Sequence, residues 1–200
     1  MYGPPDAAPW WWRRASRRAA ISWARCTGTP WSPRCARSCR RPCIVAAGGI
    51  GSPDKAARAL SAGADGVLLG TAFVVAHESQ AHSYFKKAVS TADETDTVIS
   101  DVYEIGWPGR RHRVLETSAT RDAKQPRKFI GRTVVEGKPY LIPRFSAAAP
   151  TEATSGRIEE MAMYCGLSCG AISGGRPAAE IVADFARILR GVEIFETGTG

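Results

Sequence analysis

The sequence predicts an α/β fold organised on one strand–helix–strand unit at residues 44–73, IVAAGGIGSPDKAARALSAGADGVLLGTAF. Three observations predict it. Ile44-Val45-Ala46-Ala47 and Gly66-Val67-Leu68-Leu69 lack polar side chains, which suits strands buried on both faces of a parallel sheet. A helix with clear start and stop signals lies between them. Each apolar run then exits into a glycine turn, Gly48-Gly49 and Gly70-Thr71.

The elements follow from local chemistry. Gly48 and Gly49 have no Cβ, so both tolerate positive φ and allow an anion close to the backbone. Ser52-Pro53-Asp54 starts a helix, with Ser as N-cap, Pro at the first position and Asp in the first turn. Ala56, Ala57, Ala59, Leu60 and Ala62 form its apolar face, and Gly63 stops it. A strand–helix–strand crossover of this length is right-handed. Glycine turns at matching strand ends, the second with a hydroxyl, point to a phosphate site. Glycines that merely serve the turns of a βαβ unit are the plainer alternative.

Residues 76–90 read as a helix with Tyr84, Phe85, Ala88 and Val89 on its buried face. His77 and His82 are five apart, wrong for two ligands on one helical face, and read as surface or capping residues. Asp93, Glu94 and Asp96 read as a solvated turn capping a strand at residues 97–102, not as a calcium loop. Trp107-Pro108-Gly109 makes a turn before Arg110, Arg111, His112 and Arg113, either a solvated basic loop or help for a nearby anion. Residues 117–154 read as an irregular excursion with short strand pieces at 133–135, a candidate lid. Residues 161–172 are helix or turn, and Cys165 and Cys169 lack zinc-ligand spacing. Pro177 opens a last helix whose stripe is Ala178, Ile181, Val182, Phe185, Ile188 and Leu189, with Gly191 as its stop.

Composition bounds the class. Two hundred residues suit one domain or part of one, and 44% hydrophobic content is ordinary for a globular chain. No stretch approaches the roughly 20 apolar residues of a membrane span, and Trp10-Trp11-Trp12 is too short for a signal core. A cytoplasmic protein with free thiols is expected. The net charge of +8 is localised: residues 1–43 hold nine Arg, no Lys and one acid, Asp6. Residues 44–200 balance 18 basic against 18 acidic side chains.

The strings AAGGI and AGADGVLLGTAF resemble the seventh and eighth strands of the nitronate monooxygenases, once called 2-nitropropane dioxygenases. ADETDTV, IGWPGRRHRVL, MYCGLSCGAI and RPAAEIV extend the resemblance over most of residues 44–185. The resemblance implies a flavin-dependent (β/α)8 TIM barrel that binds FMN and oxidises alkyl nitronates with O2 to carbonyl compounds and nitrite. It implies that Gly48, Gly49, Gly70 and Thr71 face the FMN phosphate. On this reading residues 44–200 are the C-terminal part of the barrel, its last two strands plus a C-terminal helical region. The expected partners are a nitronate or related small molecule and O2, with no nucleic acid and no membrane; a homo-oligomer stays open. A related FMN-dependent enoyl-acyl-carrier-protein reductase, or a catalytically dead fragment, is the alternative.

Residues 1–43 have neither a 3.6 nor a 2 period and hold five of the six Trp and four of the six Cys. A basic nucleic-acid arm, a targeting segment and an out-of-frame reading compete. Rereading the codons one frame over, with GC-rich choices, converts residues 11–24 into VVAQGVEAGGHLVG. That string matches the VxQGxEAGGH motif carrying the catalytic His of the resembling family. Residues 32–43 become VPAVRAVVPSPV, which runs directly into IVAAGGI. A frameshift near Cys43 and Ile44 is therefore expected, with residues 1–43 disordered or non-native. Ile21 then stands where the His would be encoded, and an aliphatic side chain transfers no proton. No catalytic residue and no metal ligand is assigned.

Overall fold

The computed structural model describes residues 44–196, with side chains to residue 188. The expectations for residues 1–43, including the frameshift and four of the cysteines, lie outside the described residues. The described chain divides into two compact units, residues 44–69 with 184–196, and Gly70–Ala183.

The first unit opens with strand β1 (Val45–Ala47), helix α1 (Pro53–Ser61) and strand β2 (Gly66–Leu68). The strands pair in parallel, Val45 with Gly66 and Ala47 with Leu68, so their C-terminal ends lie side by side. The Ser52 side chain accepts the Lys55 N–H, Pro53 occupies the first turn and Asp54 follows it, as the start signal predicts. Gly63 has φ +98° just past the helix, and its N–H bonds the Leu60 carbonyl at 2.8 Å. Burial differs from expectation. Ala47 is buried, but Leu68 is 60% exposed. Among the described residues this sheet has two strands, too few neighbours to enclose both faces.

The second unit begins with α2 (Thr71–Val74) and α3 (Ser83–Thr91). The helix expected from residue 76 starts only at Ser83. Residues 80–82 are drawn away to pair with a distant loop: the Glu152 N–H bonds the Gln80 carbonyl, and the His82 N–H the Pro150 carbonyl. His82 is the N-cap, its Nδ1 accepting the Tyr84 N–H at 3.1 Å. Phe85 and Val89 are buried as predicted, whereas Tyr84 faces out. Asp93 and Asp96 form a reciprocal cap, consistent with the turn reading. Strands β3 (Thr97–Ser100) and β4 (His112–Leu115) pair antiparallel, and α4 (Ser118–Arg121) follows.

The excursion at 117–154 is more regular than its sequence suggests. It contains a hairpin, β5 (Phe129–Val135) and β6 (Lys138–Pro143), turned at Glu136-Gly137, where both residues have positive φ. Strand β7 (Ser155–Gly156) adds to β5, in the order β6-β5-β7. Ile130, Ile142, Ile158 and Met161 form the core beneath this sheet. A second cluster joins Tyr103, Val114, Ala119, Phe145 and Ala162.

Helix α5 (Ala178–Glu196) buries Ile181 and Phe185, but Val182 is exposed. It runs through Gly191 instead of stopping there, since a glycine inside a helix costs only about 1 kcal/mol and no proline follows. No helix among the described residues is long and apolar enough to cross a membrane.

Candidate functional site

The four sequence-selected residues fall at two turns. Gly48 and Gly49 leave the end of β1 with φ +90° and +71°, the left-handed geometry that their lack of a Cβ permits. Gly70 and Thr71 belong to the second unit and begin α2. Gly70 differs from the first pair. Its φ of −119° is open to any residue, and a Cβ placed there would meet nothing within 4 Å. Neither backbone strain nor protein packing explains a glycine at that position. Gly66 likewise has no positive φ and open space at its Cβ position.

Thr71 is fixed by a partner 95 residues away. Its Oγ1 accepts the Gly166 N–H at 3.0 Å. A hydroxyl that accepts from an amide keeps its own proton to donate. The partner segment is itself held. The Leu115 N–H bonds the Met163 carbonyl, and the Cys165 N–H bonds the Arg113 carbonyl, adding residues 163–165 to β4. The sequence marks Gly166 only as a small residue suited to close packing. That its amide meets Thr71 is a long-range fact with no local signal.

A buried polar network supports the same segment. The Tyr103 hydroxyl donates toward the Glu160 and Met161 carbonyls at 3.3 and 3.2 Å and lies 2.8 Å from Thr117 Oγ1. Burial pushes the Tyr103 phenol up to about 12, against the opposing effect of the Thr117 hydrogen bond. Arg144 and Glu160 form a buried ion pair at 2.7 Å. Sequence reasoning passed over all three residues, because their partners are 14 to 58 positions away.

Arg113 and Cys169 are held by hydrogen bonds within the protein. Cys165 and Cys169 are buried free thiols, and Cys169 Sγ donates to the Asp93 carbonyl at 3.3 Å. Burial, then the neighbouring Cys169, pushes the Cys165 thiol well above its ordinary range, so it is a poor nucleophile. Arg113 of the basic loop is spent on Thr97, with Nη1 3.0 Å from its Oγ1. His112 lies between Trp107 and Tyr164, ring centroids 4.4 and 5.4 Å away. Among the described residues no group of three or more His, Cys, Asp or Glu side chains is arranged to hold a metal.

Parallel neighbouring strands joined through a helix define an α/β protein. The family model for nitronate monooxygenase matches residues 37–187, and the chain belongs to that family. It is 43% identical over 67 residues to a probable nitronate monooxygenase of Staphylococcus saprophyticus, covering 34% of this chain and 19% of that one. It is 30% identical to a nitronate monooxygenase of Neurospora crassa over 72% of this chain and 37% of the relative. Among solved structures, a point mutant of FabK from Thermotoga maritima is similar at a TM-score of 0.52 and 26% identity. That match covers 82% of this chain and 46% of the other. The chain thus spans from a fifth to just under half of the length of these proteins.

Proposed function

We propose that residues 44–200 are the C-terminal part of an FMN-dependent nitronate monooxygenase, the last two strands of a (β/α)8 barrel with its C-terminal helical region. Gly48, Gly49, Gly70 and Thr71 are the residues that hold the FMN phosphate. The observation that carries this reading is Gly70. It is a glycine with ordinary φ and open space at its missing Cβ, next to a hydroxyl whose proton is free to donate. The parallel register of β1 and β2 supports it, since Ala47 and Leu68 are partners immediately before the two turns.

Bound FMN supplies the redox chemistry that takes an alkyl nitronate and O2 to a carbonyl compound and nitrite. The protein's part is binding. Gly48 and Gly49 expose backbone to the anion, Thr71 donates a hydrogen bond, and the Gly166 amide keeps the Thr71 hydroxyl turned for that task. No described residue serves as the general base. We infer that residues 1–43 are read out of frame, leaving Ile21 where the family motif has its His, and that this cytoplasmic enzyme is inactive or impaired as the chain stands.

The test is the gene across codon 43, followed by expression of a frame-restored chain. The restored protein is expected to absorb near 450 nm, about where oxidised flavins do, and to consume O2 with an alkyl nitronate. The chain as given is expected to retain little flavin. A yellow, monodisperse, active protein from the sequence as given overturns the reading. NADH oxidation with an enoyl thioester by the restored chain would assign the reductase alternative.

A further inference from the structure

We propose that Cys165 and Cys169 are a reversible oxidation site, closing into a disulfide when hydrogen peroxide reaches them. Both are free thiols, with 2% and 1% of their surfaces exposed. A turn brings them together. The Cys169 N–H bonds the Gly166 carbonyl at 3.3 Å, and the two thiols are in hydrogen-bonding contact. Among the described residues no metal-holding group of His, Cys, Asp or Glu includes them. The fold can also lose both thiol hydrogens. Cys165 Sγ donates to the Gly166 carbonyl at 3.6 Å, and Cys169 Sγ to the Asp93 carbonyl at 3.3 Å. Each carbonyl keeps a backbone donor without them, the Cys169 N–H on Gly166 and the Asp96 N–H on Asp93. A disulfide therefore strands no acceptor.

Cys169 meets the oxidant first. It opens the short turn Cys169–Ala171, whose Gly170 and Ala171 are exposed, so local opening there admits a molecule as small as peroxide. The Cys169 sulfur attacks one peroxide oxygen. The O–O bond breaks, water leaves, and Cys169 becomes a sulfenic acid. Cys165 then attacks that sulfur, the S–O bond breaks, a second water leaves and the S–S bond forms. Two electrons pass from the sulfurs to peroxide, and both thiol protons end in water. Cys165 suits the second step. Burial, then the neighbouring Cys169 thiol, holds its proton on, while Arg113 favours its thiolate. Oxidation of Cys169 removes that thiol neighbour and leaves Arg113 in place.

The closed loop contains Gly166, whose N–H is bonded to Thr71 Oγ1. A cross-link across residues 165–169 limits opening of this turn, so oxidation makes the Gly166–Thr71 hydrogen bond more persistent. Its bearing on flavin rests on the phosphate assignment of Thr71, whereas the disulfide stands independently of that assignment.

The test treats the folded full chain with hydrogen peroxide, removes the oxidant, alkylates in denaturant and digests with trypsin. Arg176 precedes Pro177, so both cysteines fall in one tryptic peptide, residues 158–187, apart from the cysteines of residues 1–43. That peptide is expected to be lighter by two hydrogens and closed to alkylation until dithiothreitol restores both thiols. In Cys165→Ser, dimedone should trap a Cys169 sulfenic acid. Amide exchange at residues 164–172 should slow on oxidation of the wild type and not of Cys165→Ser. A peptide that still alkylates fully, a disulfide that forms only when peroxide meets the unfolded chain, or a Cys169 bonded to a cysteine of residues 1–43 overturns the proposal. A disulfide that leaves exchange at Gly166 unchanged overturns its reach to Thr71.

Discussion

Thr71 Oγ1 accepts the Gly166 N–H at 3.0 Å, and this one bond fixes what the hydroxyl's proton is free to do. Replacing Thr71 by Val removes the donor proposed for the phosphate and leaves the Gly166 amide without its acceptor. A hydrogen bond to a charged group contributes about 1.5–3 kcal/mol, so Thr71→Val in the frame-restored chain should weaken FMN binding at least 10-fold. Thr71→Ser should stay within a few-fold, as read by flavin fluorescence titration. A serine variant as weak as the valine one would sink the donor role. Tyr103 offers a pH signature in the same unit. Its phenol is pushed up to about 12 from an ordinary value of 10 by burial. The unfolded chain therefore loses this proton first as pH rises. The stability that Tyr103 contributes is complete below pH 10 and is lost as pH climbs through 10 toward 12. Tyr103→Phe should flatten that part of the alkaline stability curve, measured by urea unfolding.

Elements were legible where neighbouring residues decide them. Ser52, Pro53 and Gly63 bracket α1 by capping chemistry alone, and the two apolar runs announce β1 and β2. The hairpin was not legible, because Pro139, Pro143 and Gly131 break the strand pattern that its register supplies. The start of α3 was misplaced because Gln80 and His82 are held by residues 150–152, a tertiary pull that periodicity does not record. The Arg144–Glu160 pair was equally hidden. Glu160 Oε2 meets Arg144 Nε and Nη2 at 2.7 Å, and its Oε1 meets Arg157 Nη1 at 2.9 Å. Arg144 Nη1 also donates to the Pro126 carbonyl at 2.9 Å. Removing one partner strands a buried charge, so Arg144→Met should cost about 3–5 kcal/mol in chemical denaturation. Arg144→Met/Glu160→Leu should recover most of that loss, because both desolvated charges are then gone. A double variant no more stable than the single one would show that packing, not the stranded charge, sets the cost.

At the scale of the whole molecule the parallel pair β1–β2 governs the outcome. A parallel sheet is normally covered on both faces, yet Leu68 is 60% exposed and the described sheet holds two strands. Strand edges and apolar faces of that kind are templates for association. If residues 1–43 are out of frame, the strand start VVPSPV that should lead into Ile44, and the motif encoded before it, are replaced by arginine- and tryptophan-rich chain. The chain as given should then elute from a sizing column as mixed, concentration-dependent species. The frame-restored protein should run as one sharp species and unfold cooperatively. Leu68→Lys separates the two causes of association. In the chain as given it should reduce aggregation, because it charges an exposed face, while leaving flavin retention as poor as before. In the restored chain it should impair folding if Leu68 becomes covered there. A restored protein that tolerates lysine at position 68 without loss of stability would mean that this face has no cover in either form, and the barrel reading would fail with it.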